Sequence, residues 1–208
     1  MQNNLPIALR DLSKIIIIIK RTIVGAVLVV GGYFLISSYQ EKYSAINLFA
    51  KASTIEQLQT VVSHYPRSNV TASALLLLAE KQRQQGSVRE SNTTYEKFLV
   101  AFPKHSLAPA AALGIAENTL TSGHLSVGVA KLQTLVAKYP ASYVAPFSLC
   151  IQAEFLMMQL GRISEAKRQL NNLVSEFPDS IFSRYSSAKL LFLFSARQLT
   201  ELSTGQDE

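Results

Sequence analysis

Residues 86–103 read GSVRESNTTYEKFLVAFP, and the same pattern returns as GHLSVGVAKLQTLVAKYP at 123–140 and GRISEAKRQLNNLVSEFP at 161–178. Each copy begins with glycine and ends with an aromatic residue followed by proline. A fourth pair, Tyr65-Pro66, precedes them, and the four prolines lie 37, 37 and 38 residues apart. A fixed period in this range predicts a stacked helical repeat, which builds an extended surface for holding other molecules.

The segment that follows each glycine predicts an amphipathic helix. Counted from the glycine, large residues at the ninth and twelfth positions and an apolar residue at the thirteenth form one helical stripe. A small residue at the fifth position lets a neighbouring backbone approach closely. Proline then ends the helix, because it lacks the backbone N–H donor. These positions are Ser91, Tyr95, Phe98 and Leu99; Gly128, Leu132, Leu135 and Val136; and Ala166, Leu170, Leu173 and Val174.

The segment before each glycine predicts a second helix, so that each unit is a pair of antiparallel helices. Aligned on proline, three positions recur, and glutamate follows an invariant alanine in every unit. They are occupied by Leu76, Leu113 and Cys150; by Ala79, Ala116 and Ala153; and by Glu80, Glu117 and Glu154. This order of small residue, glycine, small residue, tyrosine or leucine, and proline resembles the tetratricopeptide repeat. The resemblance implies an all-α solenoid of helical hairpins. One extra residue before Gly161 predicts either a looser turn or a bulge.

The pattern predicts six regions after a basic N-terminus at 1–21. They are an anchor at 22–39, a partial repeat at 40–65, three repeats at 66–103, 104–140 and 141–178, and a terminal helix with a polar tail at 179–208. Within the partial repeat, we expect a closing helix at 53–64 with a partner at 43–52. The terminal helix is expected at 181–199, without a complete partner.

The anchor prediction rests on residues 22–38 (TIVGAVLVVGGYFLISS), which carry no charge. As a helix they span about 25 Å, close to the bilayer core of about 30 Å. Lys20 and Arg21 precede them, so the positive-inside rule places the N-terminus in the cytoplasm. A cleaved signal peptide is the rival interpretation. We favour the anchor, because the apolar run exceeds the usual signal-peptide core of about 7–15 residues and no small-residue cleavage site follows it.

Composition points away from catalysis and from nucleic acids. The formal charge is +6, but charges alternate in sign along the predicted helices instead of forming a basic stripe. The single cysteine, Cys150, excludes an internal disulfide and takes an apolar helix position, which predicts a buried structural thiol. His64, His105 and His124 stand near turns and lack metal-ligand spacing. We therefore expect no metal, no cofactor and no enzymatic activity. An enzyme or small-ligand receptor is the least favoured class.

The glutamate column is the candidate binding feature. By the tetratricopeptide resemblance, it faces a concave groove that receives a partner peptide. Three carboxylates in an apolar groove would favour an extended segment carrying lysine or arginine; the alternative is solvated surface glutamate, paired with arginines across helices. An acidic C-terminal tail is not expected, because chaperone-binding relatives use basic residues and asparagine here. The groove residues are predicted to be Leu76, Glu80, Arg83, Gln84, Leu113, Glu117, Leu120, Phe147, Glu154, Met157 and Met158.

The terminal helix predicts a second contact surface. Its run KLLFLF (189–194) is apolar on every side, whereas terminal repeats normally present a polar outer face. A homodimer seam, a different partner protein or simple core burial would each cover it. The candidate interface residues are Leu190, Leu191, Phe192 and Phe194.

An N-terminal anchor followed by exported repeats is similar in organisation to the ancillary subunit family of the bacterial secretory translocon. The resemblance implies a single-pass protein of the inner membrane, with its N-terminus in the cytoplasm and its repeats in the periplasm. It also implies a non-catalytic scaffold whose partners are the translocon or a periplasmic chaperone. The alternative is a self-associating component of the cell envelope, in cell division or outer-membrane assembly.

Overall fold

The computed structural model describes residues 7–191 and the side chains of residues 20–191. This part of the chain is entirely helical, which confirms the all-α prediction. The chain divides into two compact units, Met1–Ala52 and Ser53–Glu208.

The first unit contains one long helix, α1 (Ile7–Lys51). Its apolar side chains, among them Val24, Leu28 and Phe34, are exposed. Within the described residues, this is the one helix long and apolar enough to cross a membrane, a test that a signal sequence near the N-terminus also passes. Exposing such surface to water costs about 25 cal/mol per Å², so an apolar environment would stabilise the helix.

Residues 43–51 continue α1 instead of forming the separate helix expected at 43–52. The physical reason is local: no glycine or proline follows Gly32 before the helix ends, so nothing in the sequence interrupts the backbone ladder. The expected closing helix at 53–64 is present as α2 (Ile55–His64).

The second unit stacks antiparallel helices in sequence order. Each helix from α2 to α8 packs on the next, and α3 also packs on α5. The hairpins α3–α4, α5–α6 and α7–α8 correspond to the three predicted repeats, and we name their first members A helices and their second members B helices. The bounds are α3 (Asn69–Gln84), α4 (Val88–Ala101), α5 (Ala108–Thr121), α6 (Leu125–Lys138), α7 (Ala145–Met158) and α8 (Ile163–Glu176), followed by α9, which is described over 181–191.

Glycine makes the turn within each hairpin. Gly86, Gly123 and Gly161 have φ angles of 79°, 83° and 63°, a left-handed conformation that glycine adopts without steric cost. In the third hairpin, the N–H of Arg162 donates to the carbonyl of Leu156, six residues back (2.8 Å). The corresponding bonds of the first two hairpins span five residues. The extra residue of the third repeat therefore lies in a looser turn.

The predicted stripe of the B helices forms the core of the second unit. All six residues at the ninth and twelfth positions after the glycines are buried, as are the small residues at the fifth position. Gly128 shows why that position is small, since a Cβ atom there would lie 2.5 Å from the side chain of Leu120. The stripe comprises Tyr95, Phe98, Leu132, Leu135, Leu170 and Leu173.

Candidate partner-binding groove

A groove of about 350 Å³ opens between α3 and α5, the A helices of the first two repeats. It brings together four of the predicted residues, Leu76, Glu80, Leu113 and Glu117. The walls are mostly apolar, and small side chains on both helices keep the cleft open. The remaining lining residues are Ser73, Leu77, Tyr95, Leu107, Ala110 and Gly114.

Tyr95 reaches this groove from α4. The sequence pattern predicts only that Tyr95 belongs to the buried stripe, so its role in the groove is visible in the structure alone. Its ring lies against Gly114, where a Cβ atom would come within 2.3 Å of the ring carbon Cζ. The hydroxyl donates to Glu80 Oε2 (3.4 Å). The sequence signal for this role is the hydroxyl of Tyr95, because Leu132 and Leu170 occupy the same position in the other repeats and carry no hydroxyl.

Glu80 is held by partners within the first repeat. Arg83 donates from Nε to Oε2 (2.9 Å) and from Nη2 to Oε1 (2.7 Å), and Gln84 Nε2 also donates to Oε1 (2.9 Å). Burial raises the pKa of Glu80, but the hydrogen bonds from Arg83 and Gln84 outweigh it, so the pKa lies below its usual value. Glu80 is thus an anion whose charge is already compensated, by an arginine of its own helix.

Glu117 differs from Glu80 although both face the same groove. Its half-buried carboxylate accepts no hydrogen bond and forms no ion pair among the residues that the structure describes. Burial is the main cause that raises the pKa of Glu117; the charge of Arg83 lowers it and that of Glu80 raises it further. The groove therefore contains one carboxylate without a hydrogen-bond donor.

The third glutamate of the column has a partner from outside its own repeat. The hydroxyl of Tyr185 donates to Glu154 Oε1 (2.5 Å), and Lys189 Nζ donates to the Tyr185 hydroxyl (3.3 Å). Next to them, the rings of Phe147 and Phe182 lie 5.1 Å apart. The A helix of the third repeat, α7, therefore does not continue the same open cleft, because aromatic side chains of α9 lie against the equivalent positions.

Three further predicted groove residues lie elsewhere. Leu120 is buried in the core against Gly128, which corrects its assignment to the groove: the missing Cβ of Gly128 leaves space that Leu120 fills. Met157 packs partly buried against the same core cluster. Met158 is exposed at the end of α7.

Cys150 is a buried thiol, as its apolar position predicts. Burial, and secondarily the charge of Glu154, raises its pKa to about 11. A thiol with such a pKa is almost fully protonated at neutral pH and is a poor nucleophile. Among the described residues, no group of three or more His, Cys, Asp or Glu side chains could hold a metal ion.

The terminal-helix candidates divide between two environments. Leu190 is only 8% exposed and packs in the core with Leu156 and Leu170, so for this residue core burial replaces the expected interface. Leu191 is 72% exposed. Phe192 and Phe194 lie outside the described residues.

Comparison with known proteins agrees with this architecture. Residues 151–180 match the tetratricopeptide repeat family. Among solved structures, a tetratricopeptide repeat protein from Parabacteroides merdae ATCC 43184 is similar over 73% of this chain, with a TM-score of 0.54 and 18% identity. The fold is a tetratricopeptide-like solenoid. The match spans 58% of the Parabacteroides protein, so this chain corresponds to little more than half of it.

Two further solved structures have similar folds. A solved structure described as nearly identical TPR-like repeats from Podosopora anserina matches this chain with a TM-score of 0.54 and 16% identity. The match covers 80% of this chain and 89% of that one. The MamA RS-1 ArsTM double mutant matches with a TM-score of 0.51 and 15% identity, over 82% of this chain and 96% of its own. At these identities the likeness concerns the fold alone. No curated protein matches the sequence.

Proposed function

We propose that this protein is a non-catalytic, membrane-tethered scaffold that binds a segment of a partner protein in the groove between α3 and α5. The observation that carries the proposal is the Glu117 carboxylate, half-buried in an apolar cleft without a hydrogen-bond donor. A ligand that supplies a cation would gain both a charge-assisted hydrogen bond to Glu117 and apolar contact with the groove walls. Tetratricopeptide-like folds generally serve as protein-binding scaffolds, which supports the same conclusion.

The charges of the groove define the partner segment. Glu80, Glu117 and Arg83 together leave one negative charge, and Arg83 is already engaged with Glu80. The surrounding leucines and Tyr95 favour a large apolar side chain. We therefore expect an extended segment in which a lysine or arginine lies next to an apolar residue. Glu117 is the principal site for the cation, and the three carboxylates are not equivalent, since Glu80 and Glu154 already accept hydrogen bonds.

The membrane part of the proposal rests on α1 and its flanking charges. An uncleaved anchor at 22–39, preceded by Lys20 and Arg21, would place the N-terminus in the cytoplasm and the repeats outside it. Tethering would raise the effective concentration of the groove near the membrane surface. The resemblance in organisation to the ancillary translocon-subunit family makes the inner membrane of a bacterium the proposed location. The translocon and periplasmic chaperones are then the first partners to test.

Crosslinking of the full-length protein in its native membrane, followed by mass spectrometry, tests this proposal. Glu117→Lys places a cation where the ligand's cation would bind, so the partner crosslinks are expected to fall at least tenfold. Glu176→Lys makes the same charge change at an exposed position on α8 and is expected to leave them unchanged. Equal crosslinking in both variants would show that the partner does not use the groove. Recovery of no protein other than this chain would remove the scaffold proposal altogether.

Self-association in the cell envelope is the second candidate, favoured by the exposure of Leu191 at the end of the described part of α9. A seam through this face predicts a concentration-dependent mass for the detergent-solubilised full-length chain. Leu191→Glu should then yield a monomer at every concentration. A mass that does not depend on concentration in the unsubstituted protein would exclude this candidate.

A further inference from the structure

A second cavity, of about 290 Å³, lies on the face of α5 opposite the groove. At 3.6 residues per turn, Ala112 and Ile115 point about 150° away from the side of α5 that carries Leu113 and Glu117. The cavity is bounded by α4 and α6, the B helices of the first two repeats. It is therefore separate from the partner-binding groove.

Ala112 explains why the cavity exists in the middle repeat. The equivalent positions, nine residues after the repeat prolines, are Leu75 in the first repeat and Leu149 in the third. Both leucines are only 4% exposed and fill the space that Ala112 leaves open. The cavity is thus a local departure from the repeat pattern, and not a general property of grooves between B helices.

Two lysines of α6, Lys131 and Lys138, lie two turns apart on the rim of the same cavity. The first repeat has Thr94 and Ala101 at these positions. The third repeat has Gln169 and Glu176, so the middle repeat alone carries two positive charges here.

Neither lysine is compensated by an acid. Within the described residues, Lys131 and Lys138 form no ion pair, and no carboxylate lines the cavity. Lys138 Nζ lies 5.2 Å above the ring of Tyr139. An anionic group at the rim would therefore meet two cations that no acidic side chain of the described residues already neutralises.

Tyr139 adds a polar group to the apolar floor formed by Ile115 and Leu135. Its hydroxyl is buried and has no hydrogen-bond partner in the described structure. Phe102 and Phe177 occupy the same position in the other repeats and have no hydroxyl to satisfy. Of the three repeats, the middle one alone therefore carries a hydroxyl at this position.

We propose that this cavity is a second docking site, specific for a partner segment in which a large apolar side chain lies beside one or two carboxylates. The apolar floor receives the side chain, and Lys131 and Lys138 bind the carboxylates. The charge preference is opposite to that of the groove. The protein can therefore hold a basic segment and an acidic segment on opposite faces of the same repeat pair.

The test uses two fluorescent peptide probes and the full-length protein in detergent micelles. The acidic probe is acetyl-Gly-Phe-Asp-Glu-Gly-amide, and the basic probe is acetyl-Gly-Phe-Lys-Arg-Gly-amide; fluorescence anisotropy measures their dissociation constants. Ala112→Leu fills the cavity with the side chain that the flanking repeats already accommodate. We expect Ala112→Leu to raise the dissociation constant of the acidic probe at least tenfold and to leave that of the basic probe unchanged. Glu117→Gln should weaken binding of the basic probe and leave binding of the acidic probe unchanged.

The double substitution Lys131→Gln and Lys138→Gln at exposed positions provides a variant whose folding is not at risk. It too should weaken the acidic probe at least tenfold. Unaltered binding of the acidic probe to both variants would overturn the proposal, even if the basic probe behaves as the groove requires. The proposal would also be overturned if laurate displaces the acidic probe at a lower concentration than unlabelled acidic peptide does. That result would identify an amphiphile, and not a peptide segment, as the occupant of the cavity. A change in the Ile115 methyl resonance on concentrating the protein alone would instead identify a second copy as the occupant.

Discussion

Tyr95 shows how one side chain connects packing to the binding site. Its ring occupies space that exists because residue 114 is glycine, and its hydroxyl holds Glu80 beside Arg83. Burial, together with the nearby charge of Glu80, raises the pKa of Tyr95 to about 12, so the hydroxyl remains a donor at all physiological pH values. The geometry of the groove wall therefore depends on Gly114 as much as on the charged residues.

Gly114→Ala should destabilise the second unit although alanine is the better helix former. The added Cβ would lie 2.3 Å from a buried ring, and such overpacking costs about 1–3 kcal/mol, more than the gain of about 1 kcal/mol in helix propensity. Thermal unfolding of the full-length protein in detergent measures the change. In a Tyr95→Leu background, which mimics the other repeats, the same substitution should cost little. An equal loss of stability in both backgrounds would show that the ring contact is not the cause.

Glu117 should make stability depend on pH in the direction opposite to an ion-paired carboxylate. Because its pKa is raised in the folded state, its stabilising contribution is complete below the ordinary carboxyl pKa of about 4.3 and is lost as pH rises through the folded-state pKa. Glu117→Gln is therefore expected to raise the unfolding temperature at pH 7, with a difference that shrinks toward pH 4.

Glu80→Gln is the matched control for this pH dependence. The pKa of Glu80 is lowered, so its contribution is present above the ordinary carboxyl pKa and is lost as pH falls. The substitution should lower the unfolding temperature at pH 7, because Arg83 loses the negative charge beside it and only one of the two acceptor oxygens remains. The same sign of change for both variants would contradict the assignment of Glu117 as the unpaired carboxylate.

At the scale of single helices, the ends are set by local sequence. Thr54 caps α2: its side chain accepts from the N–H of Gln57 (3.3 Å), and the Gln57 side chain accepts from the N–H of Thr54 (3.2 Å). Thr54→Ala should cost about 1 kcal/mol and speed hydrogen exchange in the first turn of α2. Thr60→Ala, in the exposed middle of the same helix, is the control, and equal exchange in both variants would show that the cap does not hold the helix end.

The sequence was sufficient to predict the hairpins, their turns and the buried stripe of the B helices. Glycine with positive φ, proline after an aromatic residue, and apolar spacing all act within a few residues, so they can be recognised without tertiary structure. Of the eleven residues predicted to line a groove over all three repeats, Leu76, Glu80, Leu113 and Glu117 lie together in one cleft between α3 and α5, and their role in binding stays a prediction.

What the sequence could not reveal depends on contacts between elements. The sequence pattern predicts Leu120 in the groove, but in the structure Leu120 fills the space beside Gly128. It also predicts Leu190 at an interface, but in the structure Leu190 packs in the core. The difference between Glu80 and Glu117 has the same origin. Both glutamates follow an alanine at the same position of the repeat. Only the packed structure shows that Arg83 and Tyr95 donate their hydrogen bonds to Glu80.

At the scale of the whole molecule, the proposed anchor predicts that α1 remains part of the mature protein. Intact-mass measurement of protein purified from membranes should give a mass that includes the anchor at 22–39. Extraction at alkaline pH should leave it in the membrane pellet, because a helix of this length and apolarity inserts stably. A mass that lacks the first 38 or so residues, as expected after signal-peptide removal, would contradict the anchor and leave the repeats untethered.

The central claim is that the groove between α3 and α5 binds a partner segment, and site-specific photo-crosslinking tests it most directly. A photoreactive amino acid replaces Ser73 inside the groove or Val100, which is 83% exposed on α4. Irradiation of native membranes should produce a discrete adduct with another protein from position 73 and not from position 100. Glu117→Lys should abolish that adduct. The same adducts from both positions, or an adduct from position 73 that survives Glu117→Lys, would contradict the account.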